Sequence, residues 1–200
     1  MTETTLGATA AAASAAYPAS PLRPWYAVAA ALAFAVMIVA ILGPSDWFLN
    51  WVHVMSGTLW TGIDLFMGFV IGPVLRRLPL EARRAVIAGI IPRTLILMPT
   101  LSIVTSTAGW FLAQRIGYLD IGYPEFWWVA AALGIVTVLT VQGMGILLPM
   151  NLKLYFEIQK PAPDTEKIGR WMRVYVRVVA MQGLMQIAII VVMARFATGL

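Results

Sequence analysis

The chain has 200 residues, of which 60% are hydrophobic and only 12% charged, a balance that belongs to an integral membrane protein rather than a soluble domain. It contains no cysteine, which excludes disulfides, iron–sulfur clusters and thiolate metal sites within the chain. The formal charge of +5 reads as membrane topology and not as a nucleic-acid footprint, because membrane proteins gather Lys and Arg in their cytoplasmic loops.

Residues 1–24 are low in complexity and hold no apolar run of spanning length. They are expected to form a disordered cytoplasmic tail, and the absence of a basic start argues against a secretory signal. A helix needs about 20 mostly apolar residues to cross the hydrocarbon core. Five segments meet that length, at 25–43, 50–74, 88–113, 127–150 and 176–197, making one transmembrane domain over 25–200. Their long unalternating runs do not read as barrel strands. The predicted fold is therefore an all-α bundle of five transmembrane helices.

Basic residues are grouped at two connections. Arg76, Arg77, Arg83, Arg84 and Arg93 lie at or beside the link between segments two and three, and Lys153, Lys160, Lys167, Arg170, Arg173 and Arg177 at or beside that between four and five. The opposite loops carry Asp46, Asp120 and Glu125 against Arg115. The amino terminus is thus expected inside and the carboxyl terminus outside. Aromatic belts give the same topology, with Trp47, Trp51, Trp110, Tyr118, Tyr123, Trp127 and Trp128 at the outer interface and Trp25, Tyr26, Tyr155 and Trp171 at the inner one.

The second segment carries the most chemistry. His53, the single histidine, shares one helical stripe with Gly57, Trp60, Asp64 and Met67 at spacings of four, three, four and three. His53 and Asp64 are separated by about 16 Å along the axis and cannot touch. His53, near the outer leaflet, is a candidate ligand for haem or a metal, the alternative being an interfacial imidazole bonded to backbone or tryptophan. Met193, predicted at similar depth, is a candidate sixth ligand. Asp64 lies close to the membrane centre, where an ionisable side chain faces the bundle interior with a partner. Arg93 is the expected partner, in an ion pair between helices; a proton path is the other reading.

Gln182 and Gln186, one turn apart, and Gln142 on the fourth segment are expected to link helices by their amides. Gly57, Gly62, Gly68, Gly72, Gly143 and Gly145 permit close helix approach, or a gap for a flat cofactor. Pro73, Pro99 and Pro149 each interrupt a different helix. No phosphate-binding loop, metalloprotease helix or nucleophile set accompanies them.

The run W-V-H-V-M-S-G-T-L-W-T-G-I-D-L-F-M-G-F-V resembles the first helix of a group of small bacterial membrane proteins. The group includes the HemJ-type protoporphyrinogen oxidases, the CopD-like copper-resistance proteins and the membrane domain of cytochrome-linked urate oxidases. The likeness continues through P-R-T-L-I-L-M-P-T-L-S-I-V-T-S-T-A-G-W-F-L-A and, more weakly, through V-V-A-M-Q-G-L-M-Q-I-A-I-I-V-V-M, covering roughly residues 50–197. It implies a bacterial inner-membrane protein with a four-helix core, helices two to five, able to hold haem b with His53 as axial ligand. The first helix is then an addition. HemJ-type enzymes carry a lysine near the start of the third core helix, where this chain has Val129 and Ala130, and Lys153 stands at the opposite end. That departure speaks against protoporphyrinogen oxidation. The cytochrome-linked enzymes append a cytochrome c domain, whereas this chain has no Cys for haem attachment, so an electron acceptor would be a separate protein.

Two classes of function follow. One is a haem-b redox or accessory subunit of a larger membrane complex, with the bilayer and other membrane or redox subunits as partners. The other is a structural subunit or small permease, for a metal or small molecule, without a cofactor.

Overall fold

A computed structural model describes residues 23–160 and 162–199, so all but the last two residues of the expected tail lie outside the described part. Helix α1, Pro24–Leu42, opens on a proline at its first turn, where a missing N–H costs nothing. Gly43 ends it by donating its backbone N–H to the Val39 carbonyl at 2.9 Å. Two residues further on, the Ser45 hydroxyl accepts the Phe48 N–H at 3.2 Å and Asp46 occupies the first turn, so α2 starts under both a cap and a favourable dipole contact. Helix α2 runs Asp46–Arg77, α3 Leu80–Arg115, α4 Phe126–Ile158 and α5 Thr165–Ala197. All five are long and apolar enough to cross a membrane, and the described residues contain no strand.

Four of these helices extend past the spans read from hydropathy, and the reason is chemical. The start of α5 is amphipathic, with Ile168, Trp171 and Met172 packing on Ile91, Leu95, Leu154 and Tyr155. Lys167 and Arg170 keep the mean hydropathy of that turn low without stopping the helix. The start of α3 is likewise built from good helix formers, Leu80 to Ala85, that are too polar for the hydrocarbon.

The expected interruptions at proline divide into two kinds. Pro99 sits inside a continuous α3, which also contains Pro92. Pro73 and Pro149 each follow a π-helical stretch, Met67–Ile71 in α2 and Val141–Leu147 in α4. There the backbone bonds lengthen by one residue, from Gly72 N–H to Met67 O and from Leu148 N–H to Gly143 O. Widening the turn before a proline relieves the clash of its ring with the preceding turn. Glycines 68, 72, 143 and 145 make the wider turn accessible.

Trp60, Leu101 and Leu139 form a buried core with Met185 and Ile189 around it, so α2, α3, α4 and α5 surround one interior. Helix α1 packs outside this group, its Met37 and Ala40 against Leu49, Val52, Val104 and Ala108 of α2 and α3. At that end Arg115 bonds both the Ile41 carbonyl and, at 3.3 Å, Asp46, tying the end of α3 to the α1–α2 turn. At the α4–α5 connection, buried Glu157 takes Lys160 at 2.8 Å and Lys167 at 3.4 Å.

Candidate functional site

Two polar centres occupy the interior, one near the start of α2 and one halfway along it. At the first, Nδ1 of His53 lies 2.9 Å from the Thr105 carbonyl on α3. A carbonyl only accepts, so Nδ1 carries the proton and donates, and Nε2 keeps its lone pair. Thr105 also donates its hydroxyl to Ser56 at 2.9 Å, and Ser56 returns its own to the Val52 carbonyl at 2.6 Å. The two helices fit by reciprocal gaps. A β-carbon on Gly109 would stand 2.6 Å from His53 Cε1, and one on Gly57 would stand 3.2 Å from the Thr105 methyl. Each glycine is a seat for the other helix's side chain, so Gly57 here serves packing. Thr105, Ser56 and Gly109 were not singled out from sequence. The four-residue spacing of Leu101, Thr105 and Gly109 was the available signal.

At the second centre, Oδ2 of Asp64 accepts two amide N–H groups from α5, from Gln182 at 2.5 Å and from Gln186 at 2.7 Å. The Trp60 indole, one turn earlier, also approaches the carboxylate. The expected partner, Arg93, is elsewhere. Its guanidinium bonds the Gly89 carbonyl of its own helix on an exposed face of α3. The correction has a simple cause: two neutral amides from one helical face satisfy the carboxylate where the arginine does not reach. Further along, Asn151 of α4 hydrogen-bonds Tyr175 of α5. Gln142 lies on the π-helical turn of α4 with its Oε1 buried and unpartnered.

A haem iron would find at His53 a single donor, an imidazole with its tautomer fixed by a backbone carbonyl and its second nitrogen without a hydrogen-bond partner among the described residues. No described contact joins Met193 to it. Met193 lies half-buried on α5, about 10 Å beyond Gln186 along the helix. Two shallow clefts, of about 240 and 250 Å³, are lined from α1, α2 and α3 and from the first turns of α2, and His53 lines neither. A ring bound at Nε2 would be served by one axial ligand from this chain. Among the described residues no group of three or more His, Cys, Asp or Glu side chains is placed to hold a metal ion.

Fold and interior together define an all-α, multi-pass membrane protein with one oriented histidine and one amide-clamped carboxylate inside its helix bundle. No family model, curated protein or solved structure matches the chain.

Proposed function

We propose that the chain is the haem-b-binding redox or accessory subunit of a larger bacterial inner-membrane complex, with His53 as axial ligand near the outer face. The observation that carries this reading is the 2.9 Å bond from His53 Nδ1 to the Thr105 carbonyl. In metal-ligating histidines such a bond fixes the tautomer, aims the ring and raises the basicity of the other nitrogen. Gly109 supports it by leaving room for the imidazole against α3. Haem b bound there would supply one-electron transfer; this chain's part is to orient the ligand and to shield the ring within apolar helices. The electron partner is a separate membrane or redox subunit, and the grouping of Arg and Lys supports a cytoplasmic amino terminus.

Absorption spectra of the haem-replete purified protein, oxidised and dithionite-reduced, test the reading. A Soret band that His53→Ala abolishes while the helical content is kept is the expected result. Absence of the band, or its persistence in His53→Ala, refutes His53 as the ligand. The second reading, a permease without cofactor, is favoured by the Asp64 centre.

A further inference from the structure

The Asp64 centre contains more acceptors than its surroundings satisfy. Gln182 and Gln186 are 4% and 0% exposed, and each spends its amide N–H on Asp64 Oδ2. Their Oε1 atoms are buried without a hydrogen-bond partner. Two buried acceptors left unsatisfied beside one carboxylate require an explanation. Turning the amides over does not help. It would press Oε1 against the carboxylate and leave Nε2 unpaired in its place.

Everything unpaired here is an oxygen, so the deficit is of positive charge or of donors. The covalent geometry of an amide keeps each Oε1 of Gln182 and Gln186 within about 5 Å of Asp64 Oδ2. Arg93, the nearest expected cation, is committed to an exposed face. An ionised Asp64 would supply one negative charge, which a monovalent ion balances and a divalent ion would overshoot. Neutral amide and carboxylate oxygens are ligands for hard cations, not for the softer metals that select His or Cys. The backbone agrees: the π-helical turn of α2 begins three residues after Asp64. Such turns concentrate at functional sites, and broken helices near the bilayer centre are where transporters hold coupling ions.

We propose that Asp64, Gln182 and Gln186 form an intramembrane site for a hard monovalent cation, Na⁺ or K⁺, bound by the glutamine Oε1 atoms and balanced by the carboxylate. Each of Gln182 and Gln186 bridges, its Nε2 on Asp64 and its Oε1 toward the ion. The site lies about 16 Å from His53 and stands independently of the haem reading.

Equilibrium binding of ²²Na⁺, and of ⁸⁶Rb⁺ as a K⁺ substitute, to the purified chain in lipid nanodiscs and choline buffer tests the proposal. Saturable binding of one of these ions is expected, weakened about tenfold or more in Asp64→Asn and in Gln186→Leu, as loss of a charge-assisted contact implies. Gln182→Leu leaves the carboxylate and its Gln186 donor in place, so it reads ion affinity if the other variants fail to fold. It too is expected to weaken binding, and His53→Ala is expected to leave binding unchanged. Folded wild type that binds neither ion saturably overturns the proposal, as does binding unaffected by Gln182→Leu and Gln186→Leu. Uptake of protons alone, without either ion, overturns it as well.

Discussion

Substituting Gly109 by alanine is expected to destabilise the bundle through His53 alone. The new β-carbon would fall 2.6 Å from Cε1 and 2.7 Å from Nδ1 of the imidazole. Carbon contacts are most favourable near 3.5–4.0 Å, so the ring must retreat by about 1 Å. That retreat stretches the 2.9 Å bond to Thr105 out of hydrogen-bonding range. Overpacking costs about 1–3 kcal/mol and the lost interhelical bond about 0.6 kcal/mol, against about 1 kcal/mol gained in helix propensity. The net expectation is a loss of about 2 kcal/mol. In a His53→Ala background the obstacle is gone, and the same substitution should be neutral or stabilising. Unfolding in mixed micelles by increasing dodecyl sulfate, followed by tryptophan fluorescence, measures all four members of the cycle. Equal effects of Gly109→Ala with and without the imidazole would refute the seat described here.

Arg93→Ala should change stability by no more than about 0.5 kcal/mol, since the guanidinium bonds only its own helix; a loss comparable to that of Asp64→Asn in the same micelle assay would restore it as the partner. Arg115→Ala should cost less than about 1 kcal/mol, because its ion pair with Asp46 is 27% and 59% exposed. Its local effect should nevertheless be visible as faster amide exchange at residues 41–46, and unchanged exchange there would remove the clasp between α1 and α3.

Hydropathy exposes the number of helices in this chain because the bilayer demands apolar length, and it hides their ends because helices continue into water. Residues 165–175 illustrate this, since the stripe of Ile168, Trp171 and Met172 is helical by packing and polar by average. The site divides in the same way. His53 and Asp64 are conspicuous as ionisable groups in apolar helices, whereas their partners depend on which helices meet. Gln182 and Gln186 could be read as a pair because four-residue spacing puts both on one face. That they converge on Asp64 is a property of how α5 leans on α2. The exchange of Arg93 for two amides has the same origin. Pro73 and Pro149 announce a disturbance, and only the glycines near them, Gly68, Gly72, Gly143 and Gly145, indicate that the backbone can widen rather than bend.

Each of those wide turns amounts to one residue inserted into an otherwise regular helix. One extra residue rotates everything beyond it by about 100°. The side of α2 that presents Trp60 and Asp64 to the interior is therefore not the side it presents beyond Pro73, and α4 changes side again after Leu147. A helical wheel drawn through either turn misassigns the far half. Removing a single residue from Met67–Ile71 would straighten the count and swing Arg76 and Arg77 onto a different neighbour, so length in these two turns is as tightly specified as any side chain in the interior.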